Sequence, residues 1–133
     1  LNGSIEDGVA TMRALTGATI ETDLAAPAEM LSDEGQVVVL RVMQEALQNV
    51  RRHAEARHVR VSTRLGEAAW TLDVSDDGRG FDLDAVTARG RRNFGLQFMR
   101  DRAELIGAHV EVQSHPSGGT LVRLAIPIEN VRR

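Results

Sequence analysis

The fold class is decided by one stretch, residues 32–76, which reads SDEGQVVVLRVMQEALQNVRRHAEARHVRVSTRLGEAAWTLDVSD. Its first half has the apolar spacing of an amphipathic helix that begins at Ser32 and runs to about Ala56. From Val59 apolar and polar residues alternate, and a turn at Gly66 leads into a second alternating run. The stretch predicts a core-facing helix followed by a hairpin with one solvent-exposed face.

The flanking sequence supplies the other elements of the same architecture. These are two helices, one strand and a second hairpin, predicted at Ile5–Leu15, Gly95–Ile106, Ala18–Leu24 and, for the hairpin, Val110–Ser114 with Leu121–Ile126. The tail from Ile128 is predicted to fray. This order predicts an α/β (α+β) two-layer sandwich, in which about three helices cover one face of a mixed, mostly antiparallel sheet.

Composition limits the class of protein. With 133 residues, 42% of them hydrophobic and 26% charged, the chain is predicted to form one domain, 1–133, with a core of about 5–127. The absence of cysteine excludes disulfides, cysteine zinc sites and thiol nucleophiles. No apolar run reaches the ~20 residues of a membrane helix, and no signal-peptide pattern begins the chain. The prediction is a cytoplasmic domain without membrane contact.

The charged residues exclude further functions. All 16 basic residues are arginine, which excludes the P-loop lysine, the strand lysine of protein kinases and a lysine Schiff base. A net charge of −3 disfavours a nucleic-acid partner, although Arg89, Arg91 and Arg92 form a local basic cluster.

The first candidate site lies on the long predicted helix. Glu45, Asn49 and Arg52 follow the i, i+4, i+7 spacing of a narrow stripe at the margin of the apolar face, and His53 comes next. An asparagine oxygen is a ligand suited to Mg²⁺, an arginine binds phosphate, and a glutamate orients water or a proton. The alternative is a solvated helix edge with routine polar residues.

Further candidates come at strand and helix ends. Asp76, Gly78 and Gly80 follow an apolar strand, where a carboxylate can accept a hydrogen bond from an amino group such as that of adenine. Residues 93–96, NFGL, open a helix whose N–H groups suit an anion. Thr120 enters the last strand after two glycines and suits the support of a buried carboxylate. The alternatives are a plain turn, a helix cap and an ordinary strand residue.

These motifs, in this order, resemble the ATP-binding domain of bacterial sensor histidine kinases, which has the Bergerat ATP-binding fold. Residues 44–54, QEALQNVRRHA, look like the N box; 76–80, DDGRG, look like the first glycine box. Residues 94–107, FGLQFMRDRAELIG, look like the second glycine box, and 118–120, GGT, match the closing motif. The phrases are most similar to the nitrate-sensor and degradation-sensor subfamily.

The resemblance implies a base-binding side of the site. Asp76 would hydrogen-bond the adenine amino group, and Thr120 would support that contact together with a water. Gly78 and Gly80 would hinge a lid at about 81–94.

The resemblance also implies a phosphate-binding side. Asn49 would hold Mg²⁺ between the phosphates, Arg52 would contact a phosphate, and His53 would lie near the nucleotide. Gly95 and Leu96 would close on the phosphates. The cofactors expected from the family are therefore ATP and Mg²⁺.

The resemblance also bears on the catalytic group. Glu45 matches an acidic position that activates water in hydrolysing relatives, and its role in kinases is left open. The phosphoacceptor histidine of the subfamily's HDxxxQ-like helix is absent from this sequence. The resemblance therefore implies a catalytic domain that acts on a separate dimerisation and phosphoacceptor domain. The expected assembly is a homodimeric kinase whose response regulator carries a helix-turn-helix output domain.

Two departures from the family leave alternatives open. The second glycine box retains only Gly95 where relatives carry a further glycine, and the lid is short. One alternative is a degenerate module that binds nucleotide poorly and acts in protein interactions. Another is an anti-sigma-factor-like serine kinase on the same fold.

Overall fold

Three α-helices and five strands make up the described part of the chain. The computed structural model describes residues 4–15, 17–50, 57–78, 96–114 and 118–130. In chain order the elements are α1 (Ser4–Leu15), β1 (Thr19–Leu24), α2 (Asp33–Asn49), β2 (His58–Leu65), β3 (Ala69–Asp76), α3 (Leu96–Glu104), β4 (His109–Ser114) and β5 (Thr120–Pro127). Two short 3-10 helices lie at Ala28–Met30 and Ile128–Asn130.

The five strands form one sheet in the order β1-β2-β3-β5-β4. β1 and β2 are parallel, while the other three neighbouring pairs are antiparallel. Parallel neighbours need a long crossover connection, and α2 supplies it. α2 packs against both α1 and α3, and all three helices contact the sheet, so the predicted two-layer sandwich is confirmed.

Helix α2 begins where the sequence predicts. The Oγ of Ser32 accepts a hydrogen bond from the backbone N–H of Gly35 at 3.1 Å, and two acidic residues follow in the first turn. The predicted apolar face is buried, with Met43 wholly enclosed. The part of the predicted helix that continues to Ala56 lies outside the described residues after Val50.

The core lies between the helices and the inner face of the sheet. Alternate residues of β2, β3, β4 and β5 are buried, as the period of two requires. Trp70 on β3 is completely buried, and its indole Nε1 has no hydrogen-bond partner among the described residues. Full burial of a large side chain contributes roughly 1.5–3 kcal/mol, so the core accounts for much of the stability of this fold.

The outer face of the sheet is polar. Arg123 on β5 makes two hydrogen bonds to Asp73 on β3, at 2.8 and 3.0 Å, and Arg60 pairs with Asp23 at 3.4 Å. Exposed pairs of this kind contribute about 0–1 kcal/mol each. The prediction of one solvent-exposed face is confirmed. Among the described helices, none combines the length and the apolar character that crossing a bilayer requires.

Two details differ from the sequence-based prediction. The tail does not fray at once: Ile128–Asn130 form a 3-10 helix, and the backbone N–H of Ile128 donates to Ala68 at 3.1 Å. Pro127 pairs with Ala69, which brings the tail against the hairpin turn. The other unpredicted element is the 3-10 helix at Ala28–Met30. It follows Ala26, whose backbone N–H donates to Thr63 Oγ1 and whose carbonyl oxygen accepts from the same hydroxyl.

Candidate functional site

Four strand ends meet at one end of the sheet. Asp76, the last residue of β3, pairs with Thr120, the first residue of β5. Thr120 also pairs with Ser114, the last residue of β4, and Asp76 pairs with Val59 near the start of β2. The structure therefore brings together Asp76 and Thr120, which the sequence analysis placed in separate motifs.

Asp76 is held in a defined orientation at this end. One carboxylate oxygen, Oδ1, accepts a hydrogen bond from the backbone N–H of Gly78 at 2.8 Å. Burial raises the pKa of Asp76 above its ordinary value of 3.8, and the neighbouring Asp77 charge raises it further. Backbone hydrogen bonds from Gly78 and Thr120 lower this pKa, so they offset part of the cost of burial. The result is a half-buried carboxylate with a raised pKa.

Gly119 lets the start of β5 approach the end of β3 closely. Its φ of +77° lies in the left-handed region, and an added Cβ would overlap the carbonyl oxygen of Asp76 at well under 3.0 Å. Only a residue without a side chain fits here. The glycine of the closing motif therefore places the start of β5 directly against the Asp76 backbone.

A hydroxyl pair supports Thr120 from the far side. The Oγ atoms of Ser114 and Thr120 are 2.8 Å apart, and the Ser114 hydroxyl also lies 3.4 Å from the carbonyl oxygen of Gly119. Ser114 is buried, with 6% of its surface exposed. The sequence analysis missed Ser114. The sequence feature that points to Ser114 is a hydroxyl at the next inward position of β4 after the buried Val110 and Val112.

We expect Ser114→Ala to lower the free energy of unfolding by about 1 kcal/mol, because the partly buried hydroxyl of Thr120 loses its partner. Urea unfolding measures the change. The matched control is Gln113→Ala, an exposed position on the same strand, for which we expect a change within about 0.5 kcal/mol. Equal losses in the two variants would contradict the role given to the hydroxyl pair.

Asn49 ends α2 and is buried, with 8% of its surface exposed. Because α2 carries the chain from the end of β1 back to the start of β2, its last residue lies toward the sheet end that holds Asp76. Among the described residues, no side-chain hydrogen bond of Asn49 is found.

Glu45 lies one turn earlier and is half-buried. It lines a groove of about 410 Å³ between α1 and α2, together with Thr11 and Leu15 of α1. No described contact joins Glu45 to Asp76 or Thr120. Its catalytic role stays a prediction.

Several predicted site residues lie outside the described part of the chain. These are Arg52, His53, Gly80 and Gly95, together with the lid at 81–94 and the basic cluster of Arg89, Arg91 and Arg92. Leu96 is described only as the first residue of α3. Of the histidines, His58 and His109 are exposed and begin β2 and β4, whereas His53 and His115 are not described.

Asp77 follows the site and received no role in the sequence analysis. Its Oδ1 accepts hydrogen bonds from the backbone N–H groups of Arg57 and His58, both at 2.9 Å, and its Oδ2 lies 2.8 Å from Nδ1 of His58. These contacts, first the backbone hydrogen bond from His58, lower the pKa of Asp77 to about 2. The carboxylate is therefore ionised across the physiological range.

The donor set fits a magnesium ion that is shared with phosphates. No group of three His, Cys, Asp or Glu side chains within the described ranges could hold a metal by itself. Mg²⁺ typically takes one or two protein oxygens and keeps waters and substrate phosphates as its other ligands. The side-chain amide of Asn49 has an oxygen of this kind.

Comparison with known proteins supplies a family. The family described as "Histidine kinase-, DNA gyrase B-, and HSP90-like ATPase" matches residues 34–130. The signal transduction histidine-protein kinase/phosphatase DegS of Brevibacillus brevis is 31% identical over 120 residues, covering 90% of this chain and 30% of that protein. The oxygen sensor histidine kinase NreB of Staphylococcus carnosus is 39% identical over 102 residues, covering 76% of this chain and 28% of that protein.

Solved structures agree with the fold. The blue-light activated histidine kinase of Erythrobacter litoralis EL346 superposes with a TM-score of 0.74 at 18% identity, covering 92% of this chain and 40% of that one. Together the matches confirm the predicted resemblance to the ATP-binding domain of sensor histidine kinases. The chain spans about a third of the length of the two curated relatives described above.

Proposed function

Because this chain belongs to the histidine kinase-, DNA gyrase B- and HSP90-like ATPase family, we propose that it binds ATP together with Mg²⁺ at the sheet end that holds Asp76 and Thr120. The observation that carries the proposal is the half-buried Asp76 carboxylate, oriented by Gly78 and placed against Gly119 and Thr120. A carboxylate held in this way is an acceptor for the exocyclic amino group of adenine.

The contact to the base depends on the polar groups of Asp76 and Thr120 at this end of the sheet. Gly78 occupies one lone pair of Oδ1, and the carboxylate keeps further acceptor positions toward the solvent side. Partial burial strengthens a hydrogen bond from a ligand, because water competes less well there. The Thr120 hydroxyl, paired with Ser114, adds a second polar group for the base or for a bridging water.

The phosphate side is proposed to begin at Asn49. Mg²⁺, when bound, neutralises charge on the β- and γ-phosphates and holds them in a reactive geometry. Asn49 would contribute its amide oxygen, and Arg52 and His53 would contact phosphate and nucleotide. Gly80, Gly95 and Leu96 would close a lid at about 81–94.

We extend the proposal from ATP binding to the activity of the whole protein. We assign residues 1–133 to one ATP-binding domain that supplies the γ-phosphate to a histidine on a separate dimerisation domain. From there the phosphate would pass to an aspartate of a response regulator with a helix-turn-helix output domain. The kinase would be a homodimer, and this domain would work in the cytoplasm, without contact to nucleic acid or membrane. The names of the relatives favour this activity over the serine-kinase and degenerate alternatives.

Calorimetric titration of ATP with and without Mg²⁺ tests the proposal. In the wild-type domain we expect Mg²⁺ to tighten ATP binding by about tenfold or more, which is ~1.4 kcal/mol. In Asn49→Ala we expect this enhancement to vanish while the affinity for ATP without Mg²⁺ changes less than about twofold, because only the metal ligand is removed. A thermal unfolding curve checks that the variant is folded.

The control is Gln44→Ala, an exposed position on the same helix, which should keep the full enhancement by Mg²⁺. Absence of ATP binding by the folded wild-type domain at millimolar concentration would overturn the proposed function. Full enhancement by Mg²⁺ in Asn49→Ala would overturn the assignment of Asn49 alone.

A further inference from the structure

Asp77 joins the end of β3 to the residues that enter β2. Beyond the last register pair, Val59 with Asp76, its carboxylate holds the backbone N–H groups of Arg57 and His58. Its own backbone N–H donates to the carbonyl oxygen of His58 at 3.2 Å, and its Oδ2 meets the His58 ring at 2.8 Å. Four contacts from one residue therefore fix this end of the strand pair.

The position of Asp77 in the chain gives these contacts a second effect. The carboxylate of Asp76 is oriented by the N–H of Gly78, two residues further on, and Asp77 is the residue between them. The Asp76 side chain can keep this hydrogen bond only while the backbone turn at Asp77 keeps its geometry. Anchoring Asp77 to β2 therefore determines where the Asp76 carboxylate points.

The contacts of Asp77 also face away from the site. They are made to Arg57 and His58, which are both exposed. None of these contacts is made to Thr120, Ser114 or Gly119. Asp77 does not belong to the group of side chains that would touch a nucleotide. Its influence on a ligand must pass through Asp76.

We propose that Asp77 is a positioning residue for base recognition: by anchoring the Asp76–Gly78 turn to the start of β2, it aims the Asp76 carboxylate at the 6-amino group of a purine. The inference rests on the proposed function, since it takes Asp76 as the base contact. It gives Asp77, which lies inside the first glycine box, a role that the resemblance does not assign to it.

The test compares two nucleotides that differ only at the purine 6-position. Binding of Mg-ATP and of the Mg complex of purine riboside triphosphate, which lacks the 6-amino group, is measured calorimetrically for each variant. Wild type should prefer ATP by about tenfold, the value of one good hydrogen bond. In Asp77→Ala we expect ATP binding to weaken about fivefold or more while binding of the analogue changes less than about twofold, so that most of the preference for ATP is lost.

Two further variants separate positioning from a general structural effect. Asp77→Asn retains an oxygen for the N–H groups of Arg57 and His58, and it should restore most of the preference for ATP. Asp73→Ala removes a carboxylate from the outer face of the same strand, where it pairs with Arg123, and it should leave the preference unchanged.

The outcomes are distinct. Equal weakening of both nucleotides in Asp77→Ala, or an unchanged preference for ATP, would overturn the positioning role and leave the proposed function standing. A wild-type domain that binds both nucleotides equally would overturn the assignment of Asp76 as the base contact, and the role of Asp77 with it.

Discussion

Gly119→Ala should lower the free energy of unfolding by about 3 kcal/mol or more and should also remove nucleotide binding. Two costs add at this position. Alanine at a φ of +77° is strained by about 1–2 kcal/mol, and its Cβ would overlap the carbonyl oxygen of Asp76. Relief of the overlap must move β5 away from β3 where Asp76 and Thr120 pair, which separates the two residues of the proposed base site.

Gly107 offers a matched control for this prediction. Its φ is +71°, almost the same as that of Gly119, but an added Cβ would meet no atom within 4 Å. Gly107→Ala should therefore cost only the backbone strain, about 1–2 kcal/mol, and should leave nucleotide binding intact. Urea unfolding and ATP titration of both variants give the comparison. Equal costs for the two glycines would show that the close approach at Asp76 has no energetic consequence.

Asp76→Asn is expected to weaken ATP binding by about 100-fold, or ~2.7 kcal/mol, without lowering the stability of the ligand-free domain. The asparagine oxygen still accepts from Gly78, but its amide group meets the adenine amino group donor to donor. At the same time the substitution removes a charge that burial and Asp77 both disfavour. A gain in stability together with a loss of binding is the signature of a functional carboxylate.

The pH dependence of stability gives an independent check on Asp76. Its raised pKa means that the folded chain holds this proton more tightly than the unfolded chain does. The contribution of Asp76 to the free energy of unfolding therefore falls as the pH rises from 3.8 through the raised pKa. The difference in stability between Asp76→Asn and wild type should grow in favour of the variant over this range. A difference that shrinks with rising pH would contradict the assigned direction.

The fold was largely predictable because local patterns and global packing agree. The apolar face of α2, its cap at Ser32 and the alternation of the hairpin strands each specify one element, and all of them bury the same side. The missed 3-10 helices depend on tertiary contacts instead. Ile128–Asn130 forms where Pro127 meets Ala69 across the sheet, and such pairing has no signature within the tail itself.

The candidate site was predictable only for the residues that stand in recognisable motifs. Asp76 and Thr120 were named from the sequence, and their pairing across β3 and β5 supplied the geometry. The contacts of Ser114 and Asp77 depend on the register of the strands. Ser114, at the end of β4, contacts Thr120, and Asp77, directly after β3, contacts His58. Which strand residues stand opposite each other is set by the assembled sheet, so short-range spacing does not reveal these partners.

Trp70 gives the domain an optical reporter of its own. It is the single tryptophan, the chain has no tyrosine, and the indole is completely buried on β3. Its fluorescence should be blue-shifted in the folded chain and should move to longer wavelength when the sheet opens and water reaches the ring. Since β3 also ends in Asp76, one emission band follows the integrity of the strand that carries the proposed base contact. Every variant proposed above can be compared by this signal without a label.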